Sequence, residues 1–219
     1  MNKLKEIATY ILLATMLLLQ GAEALCAGDK KAEDIIDQAK KKYDELKSLK
    51  ASFTQEFQWK LAENIHQQQG TIWLKGKDKF KIETQDQVVV SDGVNVWTYS
   101  AANKQVIIDL VDKSADITLP KDLLLSYSKR YIPKYLSIEK IGAIDCHVIE
   151  LTSDMEDIFI TYMKIWINSD TLIPAKIQQT DLNENINTYI LSGIEIDTPM
   201  PDDLFHYKSQ SDVEVIDMR

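Results

Sequence analysis

Side chains alternate between apolar and polar along most of this chain, and a period of two admits one regular element, the β-strand. The stretch KASFTQEFQWKL (50–61) shows it plainly: Phe53, Gln55, Phe57, Trp59 and Leu61 fall on one face, and Ser52, Thr54, Glu56, Gln58 and Lys60 on the other. The same alternation predicts strands over 51–61, 68–75, 79–84, 87–90, 94–99 and 105–110. It resumes over 136–141, 144–152, 158–168, 172–180 and 186–195, with a short tail pair near Phe205 and at 213–216. Ser91-Asp92-Gly93, the 100–103 run, Asn168-Ser169-Asp170 and the 181–185 run separate them with turn chemistry suited to hairpins. Strands at such spacing with no helices between them predict one meandering antiparallel sheet.

Two segments depart from this period. Over 32–49, Ile35, Ile36, Ala39, Tyr43, Leu46 and Leu49 make a single apolar stripe at helical spacing. Thr118-Leu119-Pro120 followed by Leu123, Leu124 and Leu125 reads as a short apolar helix with the proline in its first turn. The chain has no repeat and no Gly/Ser/Pro linker, so 219 residues are read as one domain after a leader.

That leader is the N-terminal segment. Lys3 and Lys5 precede an apolar run at 7–19, and Ala22-Glu23-Ala24 supplies small residues at cleavage spacing, the pattern of a secretory signal peptide over 1–24. The mature chain is expected to be exported and soluble. Cys26 invites a lipidation reading, but Glu23 and Leu25 occupy positions where a lipidation site takes an aliphatic and a small residue. Cys146, the other cysteine, reads as a small buried hydrophobe, since a bridge to Cys26 would rely on a fraying terminus.

Catalytic chemistry is not evident. His66, His147 and His206 lack metal-ligand spacing, no phosphate-binding or nucleophile motif occurs, and the acidic Asp154-Met155-Glu156-Asp157 run lacks the glycine and ligand spacing of a calcium loop. The chain is therefore expected to be neither an enzyme nor a holder of any metal or cofactor. A formal charge of −9 argues against nucleic acid as a partner. What the sequence does contain is apolar sheet surface: besides β-face residues Phe53, Phe57 and Trp59, the pairs Ile72 and Leu74, and Phe80 and Ile82, recur at period two. Two helices are few to cover about ten strands. Either the sheet curls and packs on itself, or a curved sheet keeps an apolar hollow for a ligand.

LKSLKASFTQ (46–55), then Gly70-Thr-Ile-Trp-Leu-Lys, Lys79-Phe-Lys-Ile-Glu, Ser91-Asp-Gly and Val96-Trp-Thr-Tyr, the Leu-rich helix, Pro174 and Leu204-Phe-His-Tyr run in an order that resembles the LolA-type outer-membrane lipoprotein carriers. The resemblance implies a mainly β fold, an incomplete antiparallel barrel with an N-terminal helix and short lid helices over an apolar hollow. It implies a periplasmic chaperone, working as a monomer, that takes acylated lipoproteins from an inner-membrane release complex to an outer-membrane acceptor. A lipid- or lipoprotein-sensing module of the same fold is the alternative. Lipid chains would meet Phe53, Phe57, Trp59, Ile72, Leu74, Phe80 and Ile82, with Leu123 and Leu124 on the lid; Gln55 would hydrogen-bond lid or strand backbone. Family members place Arg-Pro before the strand matching Lys79-Phe80, the arginine fastening the lid; Gly76 and Lys77 stand at that clasp position here.

The leader reading makes a direct prediction. N-terminal sequencing of the exported protein is expected to give a chain without the 7–19 run and with no acyl group on Cys26; a diacylated N-terminal cysteine overturns it.

Overall fold

The computed structural model describes residues 30–61, 65–111, 130–153, 155, 157–208 and 212–219. The expected signal peptide, Cys26 and the expected lid helix with Leu123 and Leu124 lie outside the described residues. Helix α1 spans 30–45. Twelve strands follow: β1 (Ser48–Gln58), β2 (Ile65–Lys75), β3 (Lys79–Thr84), β4 (Gln87–Asp92), β5 (Asn95–Ser100), β6 (Gln105–Leu110), β7 (Ile132–Ile141), β8 (Ile144–Thr152), β9 (Ile160–Asn168), β10 (Pro174–Asp181), β11 (Ile186–Ile196) and β12 (Glu214–Asp217). A 3-10 turn at Asp202–Phe205 precedes β12. No described helix is long and apolar enough to cross a membrane.

The helix ends earlier than the apolar stripe suggested. Leu46 N–H bonds the Tyr43 carbonyl at 3.2 Å, an i to i−3 closure of the last turn, and Ser48 already begins β1. Leu49 satisfied both periods, since it also alternates with Ala51 and Phe53, and the strand takes it. At its other end β1 stops at Gln58, so Trp59 and Leu61 stand beyond the strand that was expected to hold them.

All twelve strands join one curved, unclosed sheet in the order β12-β6-β5-β4-β3-β2-β1-β11-β10-β9-β8-β7. Neighbours pair antiparallel except β12, which lies parallel to β6. Two hairpin meanders, β2 to β6 and β7 to β11, therefore meet on β1, which pairs with β2 on one side and β11 on the other. Leu49 faces Leu74 in one direction and Ile196 in the other.

The inner face divides into two apolar clusters. In the first, Ala32, Ile35, Ile36 and Ala39 of α1 pack on Ile149, Leu151, Met163, Ile165, Ile167 and Ile177 of β8 to β10. In the second, Leu46 and Leu49 close over Ala51, Ile72, Leu74, Phe80, Val89 and Val96. Cys146, fully buried and unpaired with any thiol, belongs to a small outer cluster with Val148, Trp166 and Ala175. That cluster is capped by lysine stems rather than by another layer. Lys164 and Lys176 lie 4.8 Å and 4.4 Å from the Trp166 ring, whose Nε1 donates to Glu139 at 2.8 Å.

The outer face of β3 to β5 is covered by the C-terminal segment. Lys75 and Lys79 both reach Asp202, the Tyr207 ring stacks on Tyr99, and His206 meets Trp97 edge-on. The two ammonium groups hold the Asp202 carboxyl below its ordinary pKa, although its exposure to solvent makes this a modest tie. Phe205 carries the energy, because its ring has no solvent exposure where the turn lies on β3 and β4. The free edges are restrained differently. β7 carries Pro133, a bulge between Tyr135 and Ser137, and the charges of Lys134 and Lys140; β12 has only four residues.

Phe205→Ala should lower the unfolding free energy by about 3–5 kcal/mol, the usual cost of emptying a buried phenylalanine site. Urea denaturation of the chain without residues 1–24 measures it; a loss under about 1 kcal/mol would show that the C-terminal segment does not hold the outer face.

Candidate functional site

Antiparallel register carries each inner-facing residue of β1 across to a partner on β2 and another on β11, so the inner surface can be read row by row. The rows far from the β1–β2 turn are apolar: Leu49 with Leu74 and Ile196, then Ala51 with Ile72. Phe80 and Ile82 continue these rows on β3, facing Leu74 and Ile72. Of the residues expected to line a hollow, Phe53, Ile72, Leu74, Phe80 and Ile82 thus gather in one cluster. Ile72, Leu74 and Phe80 are buried, with Tyr43, Leu46 and Val111 among the groups packed on this floor.

Phe53 lies lower than a strand phenylalanine usually does. Its cross-strand partner is Gly70, and a Cβ built on that glycine would come within 2.6 Å of the Phe53 ring and 2.5 Å of the Glu83 carbonyl. The ring therefore rests on bare backbone, half-buried, and does not stand up into the space above the floor.

Above Phe53 the chemistry changes. Among the described residues Gln55 bonds side chains rather than backbone: its Nε2 donates to Asn187 Oδ1 at 3.1 Å and to the Tyr189 hydroxyl oxygen at 3.1 Å. Asn187 Nδ2 donates to the same hydroxyl at 2.9 Å. Both partners belong to β11, where Tyr189 pairs with Gln55 and Asn187 with Phe57. Burial pushes the Tyr189 phenol above its ordinary pKa, with the Asn187 bond opposing it in part. Gln179 on β10 pairs with Asn187 and is 9% exposed, and its amide reaches Met163 Sδ at 3.7 Å. Asn187 and Tyr189 could have been placed on one face from the alternation in INTYIL; that this face lies beside Gln55 is a matter of register, which the sequence does not state.

Phe57 and Trp59 form the next level, their rings in edge contact at 4.6 Å. They are separate from the floor cluster. Trp59 is 45% exposed, and the neighbouring Leu61, Ile65, Phe159 and Leu182 are exposed as well. These residues belong to the ends of strands joined at one rim: Ile65 pairs with Gln58, Lys60 forms an ion pair with Glu184, and Leu182 N–H bonds the Phe159 carbonyl at 2.9 Å. The inner face is thus apolar at the floor, polar at mid-height and aromatic at the rim.

The clasp position is built otherwise than a strand residue would be. Gly76 occupies the β2–β3 turn with φ of +62°, exposed, its N–H bonding the Lys47 carbonyl at 3.0 Å. Lys77 is in the same turn and not on a strand face. An arginine at 76 would carry the left-handed backbone penalty of about 1–2 kcal/mol. A groove of about 630 Å³ runs past Ser52, Thr54, Gln69, Thr71 and Trp73, a surface of hydroxyls and an amide beside the indole. Among the described residues no group of three or more His, Cys, Asp or Glu is placed to hold a metal ion.

Comparison with known proteins agrees with this architecture. The profile of the family described as "Outer membrane lipoprotein carrier protein LolA" matches residues 44–208. An outer-membrane lipoprotein carrier protein of Haemophilus influenzae is 28% identical over 174 residues, 78% of this chain and 81% of its own. Among solved structures, an uncharacterized conserved protein from Thermus thermophilus superposes with a TM-score of 0.59 at 11% identity, covering 85% of this chain and 99% of its own. Lipoprotein LppX of Mycobacterium tuberculosis gives 0.51 at 13% identity over 80% and 100%. These two likenesses concern the fold.

Gly70→Ala is expected to destabilise the protein by about 1–3 kcal/mol, the cost of overpacking a site whose neighbours include fixed backbone. Pairing it with Phe53→Ala tests the contact. The double variant should recover part of the Gly70→Ala loss in urea denaturation, and strict additivity would contradict the stacked geometry.

Proposed function

The chain belongs to the LolA family of outer-membrane lipoprotein carriers, and we propose that it is a periplasmic carrier that holds the acyl chains of lipoproteins against its inner face between the inner and outer membranes. Phe53, Ile72, Leu74, Phe80 and Ile82 form the lipid-contacting floor, and Phe57 and Trp59 line the entrance. An inner-membrane release complex delivers the cargo and an outer-membrane acceptor takes it, with the carrier working as a monomer that needs no cofactor and performs no catalysis. The signal peptide at 1–24 sends it to the periplasm. Support for this reading rests on one observation above the others: an unclosed sheet whose inner floor is continuous apolar surface beneath an aromatic rim.

The energetics fit a carrier. Each buried methylene contributes about 0.8 kcal/mol, so one long saturated chain carries roughly 12 kcal/mol of exposure cost in water. The floor, however, is already covered by Leu46 and Tyr43. An acyl chain exchanges with those contacts instead of filling an empty void, and the net affinity is the difference. Binding that is favourable yet reversible is what a donor-to-acceptor carrier needs.

Purification of the tagged protein from periplasm followed by mass spectrometry should recover acylated lipoproteins, and Trp59→Ala should lower that yield severalfold without lowering the melting temperature. Recovery of a single non-acylated regulatory protein, with no acyl groups, would favour a sensing module instead.

A further inference from the structure

We propose that Gln55, Gln179, Asn187 and Tyr189 form a neutral polar collar that takes the ester and amide linkages of an acylated head group and disfavours a free fatty-acid carboxylate. This rests on the carrier reading above and adds a specificity that the reading alone does not contain.

The collar has a fixed height. Along β1, Gln55 is two residues above Phe53 and two below Phe57; Tyr189 shares its row, and Asn187 and Gln179 lie one row higher, level with Phe57. An amphiphile entering tail-first would bring its first polar atoms to that level. On β10, Ile177 pairs with Tyr189 in the Gln55 row, so the polar patch ends there on this side. Buried polar groups are normally well satisfied by the protein. Gln179 is less so: nine-tenths buried, its amide makes among the described residues a long contact to a thioether, a poor acceptor. Beside it, Gln55 and Asn187 share one phenol oxygen as acceptor. Amide N–H and phenol O–H donors are therefore available to carbonyl oxygens, the groups that ester and amide linkages offer.

Charge decides which head group suits. No inner-facing position of β1, β2, β10 or β11 is lysine or arginine. Lys176 points outward over Trp166, and Asp181 is committed to the 181–185 turn through Asn183 and Asn185. His66, opposite Phe57, is exposed at the rim. An ionised carboxylate drawn down to the collar would lose hydration without meeting a cation, whereas a neutral ester loses little. The same tail should therefore bind far better when its carboxyl is esterified.

The test uses the full mature chain, an apolar fluorescent probe, and two ligands of one chain length: monopalmitoylglycerol and palmitate at pH 8. The ester should displace the probe at concentrations about tenfold or more below palmitate. In Gln55→Leu/Asn187→Leu, and independently in the near-isosteric Tyr189→Phe combined with Gln179→Leu, ester affinity should fall about tenfold while palmitate affinity stays within twofold, closing the gap. Melting curves confirm that each variant folds, and either pair alone is sufficient. Equal wild-type affinities, or an equal loss for both ligands in the folded variants, overturn the collar while leaving the carrier reading intact. A wild type that binds neither the probe nor either ligand overturns the carrier reading and the collar with it.

Discussion

The first strand is the constraint on which everything else depends. β1 is hydrogen-bonded on both sides, to β2 through a nearby turn and to β11 from the far end of the chain. Without it the two meanders are separate sheets, and neither encloses anything. Because strand side chains alternate strictly, the pairing that joins the halves also decides what the interior contains. A slip of one residue against β11 would replace Gln55 and Phe53 inside by Thr54 and Ser52, and turn the apolar floor outward. The bulge between Lys50 and Ser52 on the β11 side sits where the floor gives way to the higher rows.

The strands were legible because their signal is local. Period two, bounded by residues such as Ser91-Asp92-Gly93, needs no knowledge of the rest of the chain, and the hairpin partners follow from short turns. What the sequence could not express is contact between distant segments. Nothing in 186–196 says that it pairs with β1, and nothing in EVID says that it lies parallel to β6. The helix boundary failed for a related reason, since Leu49 fits both the helical stripe and the strand alternation. In the site, the apolar residues were recognisable as one face, and Gln55 as an anomaly within it. Its partners Asn187 and Tyr189 stand more than 130 residues away along the chain, and only the register brings them together.

The apolar floor serves two demands at once. Ile72, Leu74 and Phe80 are buried core residues, and with Leu46 and Tyr43 they hold the N-terminal part of the sheet together. The same surface is the place proposed for acyl chains. These roles need not compete, because one hydrocarbon contact substitutes for another at little net cost. The distinction between a packed core and an apolar hollow, open from the sequence alone, becomes a question of what covers the floor at a given moment. Polar and aromatic levels above it do not have that interchangeability, since their value depends on geometry.

Among the described residues the unclosed sheet ends in two strands paired on one side, and each such edge is a template on which another chain could grow into a fibre. β7 is the longer edge, at ten residues, and displays Ile132 and Ile138 to solvent. Its features answer that hazard. Pro133 removes one donor, the bulge after Tyr135 interrupts the regular spacing that an incoming strand would have to match, and Lys134 and Lys140 would need to be desolvated. At the opposite edge β12 offers only four residues, flanked by the acidic Asp212 and ending in Asp217. A sheet that stays open, as the proposed carrier requires, cannot protect itself by closing into a barrel, so its resistance to aggregation has to be written into the edges.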